Sequence, residues 1–248
     1  MNNKLSQKRK KNNKTTKRKI TKRNKKKNNK YSIFVITIDD SRFKKYKKNP
    51  MYKKWKGCIG KNLNPKFVED TYITMWNASK KHKHNVAGCS ESHLSLMKHI
   101  IDNKINNAII IEDDALIDFK RLKELDKVNE FCYIGGRFQP PKLTDNLNFD
   151  KSKIKKGLHK INTKKFTITG GHGYYLPNTK VTEKIYNNIV NKPKRRAIDA
   201  EFRRLQKNKI INYFIFPAIS TLYLEDAEKG FKYNENTNYN LTDDNYKY

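Results

Sequence analysis

The chain has 248 residues, of which 35% are apolar, with a mean hydropathy of −0.98 and a formal net charge of +32. Residues 1–30 contain 15 of the 56 Lys and Arg residues and no acidic residue. Such a segment cannot offset the entropy that ordering costs, so it is predicted to be a disordered tail. The rest of the chain has continuous apolar runs, which exclude disorder there. None of them reaches the roughly 18 apolar residues that suggest a transmembrane helix.

The composition also bears on location and partners. Three scattered cysteines (Cys58, Cys89 and Cys132) do not make a disulfide framework, and an odd number suits a reducing compartment. Without an apolar signal segment, the expected location is the cytoplasm. The basic tail is expected to attract nucleic acid or another anionic surface. Alternatively, the Lys and the 30 Asn residues reflect an AT-rich genome. If that genome is viral, the location is the host cytoplasm or the virion.

The first predicted elements precede residue 102. Residues 32–38 (SIFVITI) form a continuous apolar run that is typical of a buried parallel strand. Residues 42–55 form a short basic amphipathic segment, and the spacing of apolar residues then predicts a helix over 66–80. A second helix is predicted over 92–101, with Ser90 as its N-cap.

The second half of the chain alternates the same two patterns. A buried strand is predicted over 108–111, directly before three carboxylates, and a short strand over 131–134. Residues 139–165 are rich in Pro and Lys and are predicted to be a surface loop or lid. The remaining predicted elements are strands over 166–169 and 210–216 and helices over 179–190 and 199–207.

Strands that alternate with helices predict an α/β domain with a mostly parallel sheet. The predicted organisation is a tail at 1–30, one domain at 31–232 and a loose tail at 233–248. In such sheets ligands bind at the carboxyl ends of strands, where the strand order reverses. Two predicted strands end in acids, Asp39-Asp40 and Glu112-Asp113-Asp114, so the functional site is expected there.

The acidic triplet is the first candidate for chemistry. Consecutive carboxylates repel one another unless a cation lies among them. The strand period of two puts Glu112 and Asp114 on one side and Asp113 on the other. Two oxygen ligands at one strand end suit Mg²⁺ or Mn²⁺ that also binds substrate phosphates. The alternative is an ordinary loop or a helix N-terminus, where acids are solvated or stabilised by the helix dipole.

Further candidates lie elsewhere in the chain. His172, in a Gly-Gly-His-Gly run after a strand, is either a substrate contact or part of a polar turn. Asp199 and Glu201 begin a helix and are either general bases or capping acids. Potential zinc ligands also occur within twelve residues, at a spacing unlike that of zinc fingers: His82, His84, Cys89 and His93.

Two segments together resemble a known family. Residues 88–93 read Gly-Cys-Ser-Glu-Ser-His, and residues 108–115 read AIIIEDDA. This pattern of Gly-Cys-x-x-Ser-His, a helix, and an apolar strand ending in Glu-Asp-Asp is similar to that of the family 25 glycosyltransferases. The family includes lipooligosaccharide and procollagen galactosyltransferases. Weaker similarity extends over about residues 31–227, and Thr37 stands where the family usually has Asn.

The resemblance implies a GT-A-like fold, which is one α/β domain that binds a nucleotide sugar and a divalent cation, Mn²⁺ or Mg²⁺. It implies metal ligands at Glu112 and Asp114, with Asp114 favoured as the direct ligand. The residues then expected to line the donor site are Thr37, Asp39, Arg42, Ser92, His93, Glu112, Asp113 and His172.

The function that follows is metal-dependent, inverting transfer of a hexose (galactose or glucose) from a UDP-sugar to a glycan or protein acceptor. Asp199 is favoured as the base that takes the acceptor proton, with Glu201 as the second candidate. Two alternatives stay open. One is a metal-dependent nuclease or phosphoesterase that uses the same acids, and the other is a basic nucleic-acid-binding protein with an inactive transferase domain.

Overall fold

The structure is a computed structural model that describes residues 30–73, 79–142, 150 and 153–222. The α-helices within this part of the chain are α1 (Asp40–Phe43), α2 (Pro65–Thr71), α3 (Lys80–Asp102), α4 (Thr179–Val190) and α5 (Ile198–Lys207). The strands there are β1 (Ser32–Thr37), β2 (Tyr52–Lys56), β3 (Ala108–Glu112), β4 (Ala115–Ile117), β5 (Cys132–Tyr133), β6 (Arg137–Gln139), β7 (Gly157–Lys160), β8 (Thr167–Thr169), β9 (Gly173–Leu176), β10 (Tyr213–Phe216) and β11 (Ser220–Leu222). Short 3₁₀ segments occupy Lys44–Tyr46, Gly60–Asn62 and Phe119–Lys127.

Seven of these strands form a mixed central sheet in the order β2-β1-β3-β9-β5-β10-β7. β2, β1 and β3 are parallel, and so are β5 and β10, whereas β9 and β7 run antiparallel to their neighbours. Five of the seven strands therefore point in the same direction. β4 pairs with β11, and β6 with β8, in two small antiparallel sheets. The predicted α/β class is confirmed, although half of the strand pairs in the central sheet are antiparallel.

Both faces of the sheet are covered. Alternate residues of β1 belong to different clusters: Phe34 and Ile36 face one, Ile33 and Val35 the other. This double burial explains why β1 and β3 are continuous apolar runs. Helices α3, α4 and α5 supply the first cluster with Leu94, Met97, Ile185, Ile189, Phe202 and Leu205. The second cluster includes Phe43, Tyr46, Leu122 and Leu125.

The structure corrects the sequence prediction at both edges of the sheet. β2 lies in the segment predicted only as amphipathic, and β7 lies inside the predicted loop or lid over 139–165. Within the described residues both strands pair on one side only, and all of their residues are exposed or half-buried. Lysine on an edge strand discourages pairing with another chain, and it also removes the apolar pattern that marks a strand.

Helix α3 is longer than predicted. It begins at Lys80, where the side chain of Ser79 accepts a hydrogen bond from the backbone N–H of His82. Ser90 lies inside the helix, so the prediction that Ser90 is the N-cap is wrong. Helix α2 covers 66–71 of the predicted helix over 66–80, but residues 72, 73 and 79 are not helical, so the prediction is wrong there. Residues 74–78 lie outside the described residues.

Other predictions fall inside and outside the described ranges. Helix α4 covers the predicted 179–190, and α5 begins one residue before the predicted 199–207. No helix in the described ranges is both long enough and apolar enough to cross a membrane. The predicted tail at 233–248, and all of the basic tail except Lys30, lie outside the described residues, so the predictions for them stay predictions.

Candidate active site

The acidic ends of β1 and β3 lie side by side. β1 is parallel to β2 on one side and to β3 on the other, so the strand order reverses at β1. Glu112 lies opposite Ile36, one residue before the end of β1. A crevice at such a switch point is the usual ligand site of an open α/β sheet. The structure therefore brings both predicted acidic clusters to one crevice.

Asp113 is buried and fully engaged with other protein groups. Arg42 Nη2 lies 2.8 Å from Asp113 Oδ1, and the Thr37 hydroxyl donates to Asp113 Oδ2 at 2.6 Å. The Thr37 oxygen also accepts the backbone N–H of Asp39 at 3.1 Å. These contacts tie the end of β1 to the end of β3. Asp113 therefore orients Arg42 and offers no free oxygen to a ligand.

Asp114 is the least satisfied acid of the triplet. Its Oδ1 atom is buried and has no hydrogen-bond partner among the described residues. Burial and the negative charges of Glu112 and Asp113 raise the pKa of Asp114 to about 6. Leaving a buried carboxylate oxygen unpaired is costly. A ligand that carries positive charge would relieve this cost.

Glu112 contacts a histidine of α3. The Nε2 atom of His93 lies 3.3 Å from Glu112 Oε1, and His93 Nδ1 lies 2.9 Å from the Tyr174 hydroxyl. Burial acts to raise the pKa of Glu112, but the hydrogen bond and charge of His93, with His172 and Arg42 nearby, hold it below its ordinary value. His93 is fully buried, so Tyr174 and Glu112 fix the plane of its ring.

Gly88 and Ser92 of the Gly-Cys-x-x-Ser-His motif contact the loop after β2. Ser92 Oγ donates to the carbonyl of Gly88 and accepts the backbone N–H of Cys58, both at 2.7 Å. A Cβ on Gly88 would lie 2.6 Å from the backbone nitrogen of Gly60. Gly88 and Ser92 therefore hold the loop after β2 against α3. The expected contact between Ser92 and the donor is not supported by this placement, because the hydroxyl is already used inside the protein.

Cys89 lies one helical turn before His93 on the side of α3 that faces the acids. Its Sγ, a His93 ring nitrogen and a Glu112 oxygen all lie within 4.8 Å of one another. Cys89 is exposed, but the surrounding protein shields its thiol from part of the water. This desolvation and the negative charges of Glu112, Asp199 and Asp114 raise the pKa of Cys89. The i,i+4 spacing of Cys89 and His93 is the signal in the sequence that could have predicted this pair.

His82 and His84, the other candidate zinc ligands in the sequence, do not belong to this cluster. His84 Nδ1 instead lies 3.1 Å from the carbonyl of Gly60. The role of Tyr174 beside His93 has no signal in the sequence, because it depends on how β9 lies against α3.

The Gly-Gly-His-Gly run forms one wall of the crevice. A Cβ on Gly171 would lie 2.8 Å from Glu112 Oε1 and 3.2 Å from His93 Nε2, so the glycine makes room for these two side chains. His172 is buried, and burial lowers the pKa of His172 to about 4. Its ring is therefore neutral near pH 7. A contact between His172 and substrate stays a prediction.

The two candidate bases are placed differently. Asp199 lies in the first turn of α5, where Oδ2 accepts from the Thr169 hydroxyl at 3.1 Å and Oδ1 accepts the Ala200 N–H at 2.8 Å. Glu201 is fully buried, and its oxygens accept from Arg204 Nε at 2.6 Å and from the backbone N–H of Arg196 at 3.1 Å. Its full burial and these contacts give Glu201 a structural role, whereas Asp199 is only half-buried and remains the candidate base.

Asp39 lies at the exposed rim of the site. Its side chain caps α1 by accepting the backbone N–H of Ser41 at 2.7 Å, and this hydrogen bond lowers the pKa of Asp39. Asp40 forms an ion pair with Lys54 and therefore holds α1 against β2. Of the two acids that follow β1, Asp39 is the one that remains available to a ligand at this rim.

Two of the three acids of the triplet fit a divalent cation. Glu112 and Asp114 both contribute negative charge at Cys89, whereas Asp113 turns to Arg42 and Thr37. The separation of Glu112 and Asp114 from Asp113 agrees with the predicted alternation of side chains along the strand. Asp114 Oδ1, which has no hydrogen-bond partner among the described residues, and the carboxylate of Glu112 offer oxygen ligands of the kind that Mg²⁺ and Mn²⁺ prefer.

A pocket also lies at the other edge of the sheet. It has a volume of about 390 Å³ and is formed around β7 and β10, with Phe214 in its wall. Three strands lie between β7 and β3, so four strand spacings separate them, which is about 19 Å at the usual spacing. The basic residues that line the pocket are Lys153, Lys155, His159, Lys160 and Lys165.

No protein-family model matches this chain, and no curated protein sequence matches it. The resemblance to the family 25 glycosyltransferases therefore depends on residues 88–93 and 108–115. In the structure these two segments meet at the crevice, where His93 Nε2 lies 3.3 Å from Glu112 Oε1.

Proposed function

We propose that this protein is a metal-dependent glycosyltransferase that moves a hexose, galactose or glucose, from a UDP-sugar to a hydroxyl group of a glycan or protein. The observation that carries the proposal is the buried Oδ1 of Asp114, which has no partner in the described part of the chain and lies close to Glu112 at the β1–β3 switch point. The carboxylates of the crevice repel a diphosphate unless a cation binds between the carboxylates and the phosphates. A nucleotide sugar that binds together with a divalent cation provides both the diphosphate and the cation.

Glu112 and Asp114 would hold the cation, Mn²⁺ or Mg²⁺. When bound, the cation supplies the positive charge that stabilises the departing diphosphate. Arg42 adds a second positive charge at the same end of β1, and Asp113 fixes its position through the 2.8 Å ion pair. A positive group held in place before the reaction stabilises developing negative charge without further reorganisation.

In the proposed reaction, a bond forms between the acceptor oxygen and the anomeric carbon while the bond from that carbon to UDP breaks. UDP leaves with the electron pair, and Asp199 takes the proton of the acceptor hydroxyl. The Thr169 hydroxyl and the backbone N–H of Ala200 each donate to one oxygen of the Asp199 carboxylate and hold it in place. The family resemblance implies that the reaction inverts the configuration at the anomeric carbon.

A GT-A-like identity for the domain at 31–232 belongs to the same proposal. It is supported by the mixed seven-stranded sheet and by the acids that follow its third strand. It is also supported by the contact between the two motif segments, because the residues that resemble the family converge on one crevice.

The proposal is tested by UDP release from UDP-galactose and UDP-glucose with the full-length protein, in Mn²⁺ and in EDTA. We expect release only with Mn²⁺. Asp114→Asn should lower kcat/KM by about 100-fold or more, because it removes a cation ligand. Asp199→Asn should lower kcat by about 100-fold. The control is Asp102→Asn, because Asp102 pairs with Lys98 on the exposed face of α3.

Equal turnover by Asp114→Asn and the parent would reject the assignment of the acid cluster. The lysine-lined pocket and the basic tail make a nuclease the second candidate function. The same preparations are therefore incubated with a single-stranded oligonucleotide and Mn²⁺. Cleavage that depends on Asp114, without release of UDP from either sugar nucleotide, would replace the transferase by a nuclease.

A further inference from the structure

The crevice contains a second donor set, which suits a softer metal. The ligand atoms of Cys89, His93 and Glu112 lie within 4.8 Å of one another, and they are one sulfur, one nitrogen and one oxygen. No other group of three or more His, Cys, Asp and Glu residues in the described ranges is arranged in this way. We propose that these three side chains bind Zn²⁺ and that the bound Zn²⁺ inhibits the transferase.

The donor types select the metal. Thiolate and imidazole favour Zn²⁺ and similar borderline-soft ions, whereas Mg²⁺ and Mn²⁺ favour sets made only of oxygen. Zn²⁺ lies about 2.0–2.3 Å from such ligands, so the donor atoms of a tetrahedral site are about 3.5 Å apart. His93 Nε2 and Glu112 Oε1, at 3.3 Å, already have this separation. Rotation of the exposed Cys89 side chain closes the remaining distance.

A hydrogen bond behind the imidazole supports the site. His93 Nδ1 lies 2.9 Å from the Tyr174 hydroxyl, on the side of the ring away from Glu112. When Nε2 faces a metal, Nδ1 carries the proton and donates it to the tyrosine oxygen. Metal-binding histidines commonly have such a partner, which orients the ring. Tyr174 is itself held by Phe131, whose ring stacks on it at 5.2 Å.

Two further observations indicate that this place favours a cation. The charges of Asp114 and Asp199, together with Glu112, act on Cys89, so the thiol lies in a strongly negative field. Asp114, whose charge acts on Cys89, has a buried Oδ1 atom with no hydrogen-bond partner in the ranges that the structure describes. A divalent cation satisfies both conditions, and on binding it releases the thiol proton to solvent.

Glu112 is shared between the two metal sites. The inhibition rests on the proposed function, in which Glu112 helps to hold the cation of the sugar-nucleotide complex. Zn²⁺ bound by Cys89, His93 and Glu112 takes this ligand away and adds positive charge where the second cation must bind. The binding of Zn²⁺ itself does not depend on the transferase activity.

The test uses Co²⁺, a spectroscopic substitute for Zn²⁺, added to the full-length protein. We expect one equivalent to produce the ultraviolet absorption of a Co²⁺–thiolate bond, and Zn²⁺ to remove this absorption. Cys89→Ser should abolish the absorption, and His93→Gln should weaken binding at least tenfold. The matched control is Cys58→Ser, because Cys58 lies nearby but outside the cluster, and this variant should keep the absorption.

A second measurement uses the parent protein alone. Zn²⁺ should slow alkylation of Cys89 by iodoacetamide at least tenfold while alkylation of Cys58 is unchanged. Absence of the Co²⁺–thiolate absorption, its persistence in Cys89→Ser, or equal alkylation of Cys89 with and without Zn²⁺ would overturn the zinc site.

Inhibition is measured separately, as the effect of one equivalent of Zn²⁺ on Mn²⁺-dependent UDP release. We expect a loss of at least tenfold in the parent. Unchanged release with Zn²⁺ bound would overturn the inhibitory role. If the parent releases no UDP under any condition but shows the Co²⁺–thiolate absorption, the proposed function fails while the zinc site stands.

Discussion

Glu112, Asp113 and Asp114 are adjacent in the sequence but have different surroundings. Asp113 points to Arg42 and Thr37, and Glu112 lies beside His93, whereas Oδ1 of Asp114 has no partner among the described residues. The contacts of Asp113 and Glu112 offset the cost of removing a carboxylate from water. Asp114 Oδ1 has no such contact among the described residues, so Asp114 is the acid of the triplet that a ligand would stabilise most.

A first prediction concerns the stability of the metal-free protein. The pKa of Asp114 is raised to about 6, so its proton is bound more tightly in the folded than in the unfolded state. The carboxylate therefore lowers stability as pH rises from about 4 through 6. We expect Asp114→Asn to increase the free energy of unfolding at pH 8 by about 1–2 kcal/mol, discounted for partial exposure. Urea unfolding in EDTA measures this.

The gain should disappear near pH 4, where the parent carboxyl is protonated. Asp102→Asn is the control, because its surface pair with Lys98 contributes less than about 0.5 kcal/mol. Added Mn²⁺ should raise the Tm of the parent but not of Asp114→Asn. A loss of stability in Asp114→Asn at pH 8 would mean that the Asp114 carboxylate forms stabilising hydrogen bonds within the protein and is not available to a ligand.

Helix α3 and the loop after β2 form a unit that positions the crevice. A Cβ on Gly60 would lie 2.0 Å from the His84 carbonyl oxygen, and one on Gly88 would lie 2.6 Å from the backbone nitrogen of Gly60. The obstacles are backbone atoms, which cannot move aside as a side chain does. Two glycines thus set the separation between loop and helix, and Ser92 bridges it by hydrogen bonds.

A second prediction tests this close approach. Gly88→Ala should lower the free energy of unfolding by about 1–3 kcal/mol, because the added methyl group forces the loop and the helix apart. Alanine otherwise favours a helix, so a loss of stability isolates the contact with Gly60. Thermal or urea unfolding measures it.

Asn85→Ala provides the comparison on the exposed face of the same helix and should change stability by less than about 0.5 kcal/mol. If Gly88→Ala were as stable as the parent, the space between the loop and α3 would be large enough to accept a methyl group at residue 88. The bridging role assigned to Ser92 would then lose its main support.

The charge of the whole chain is arranged unevenly. The net charge is +32, yet the crevice at the switch point contains the acids of the triplet and Asp199. A basic surface around an acidic crevice attracts anions over a distance and lets them bind only with a cation. Residues 1–30 carry 15 of the basic residues, and the other 41 are spread over residues 31–248 with 24 acids.

A third prediction concerns the tail. Replacing the 14 Lys and Arg residues of positions 1–29 by Gln should weaken binding to heparin or anionic vesicles and make it less dependent on salt. Lys30 is kept, because it pairs with Asp126 at 2.6 Å. Binding is measured from 50 to 300 mM salt. Mn²⁺-dependent UDP release by the same variant should stay within twofold of the parent, since the crevice is unchanged.

An equal salt dependence in the parent and the variant would show that the tail is not the attachment element. The lysine-lined pocket around β7 would then become the next place to test, with Lys155→Gln and Lys165→Gln together.

Much of the architecture follows from local patterns. β1 and β3 are continuous apolar runs because both of their faces are buried, and a run of this kind is visible without any knowledge of its neighbours. The acids after these strands were expected to meet, because the carboxyl ends of neighbouring parallel strands lie at one edge of a sheet. The edge strands β2 and β7 escaped prediction, because their residues are at most half-buried and lysine interrupts the apolar pattern.

The roles of single side chains depended on the tertiary structure. Asp199 and Glu201 are equivalent candidates by spacing, yet Arg204 and the Arg196 backbone hold Glu201 in the interior, whereas Asp199 lies near Cys89 at the crevice. Periodicity tells which side of an element is buried, because burial follows the repeat of the backbone. It does not tell which group from a distant segment lies opposite a given carboxylate. That partner decides whether the acid is part of the framework or free to bind a ligand.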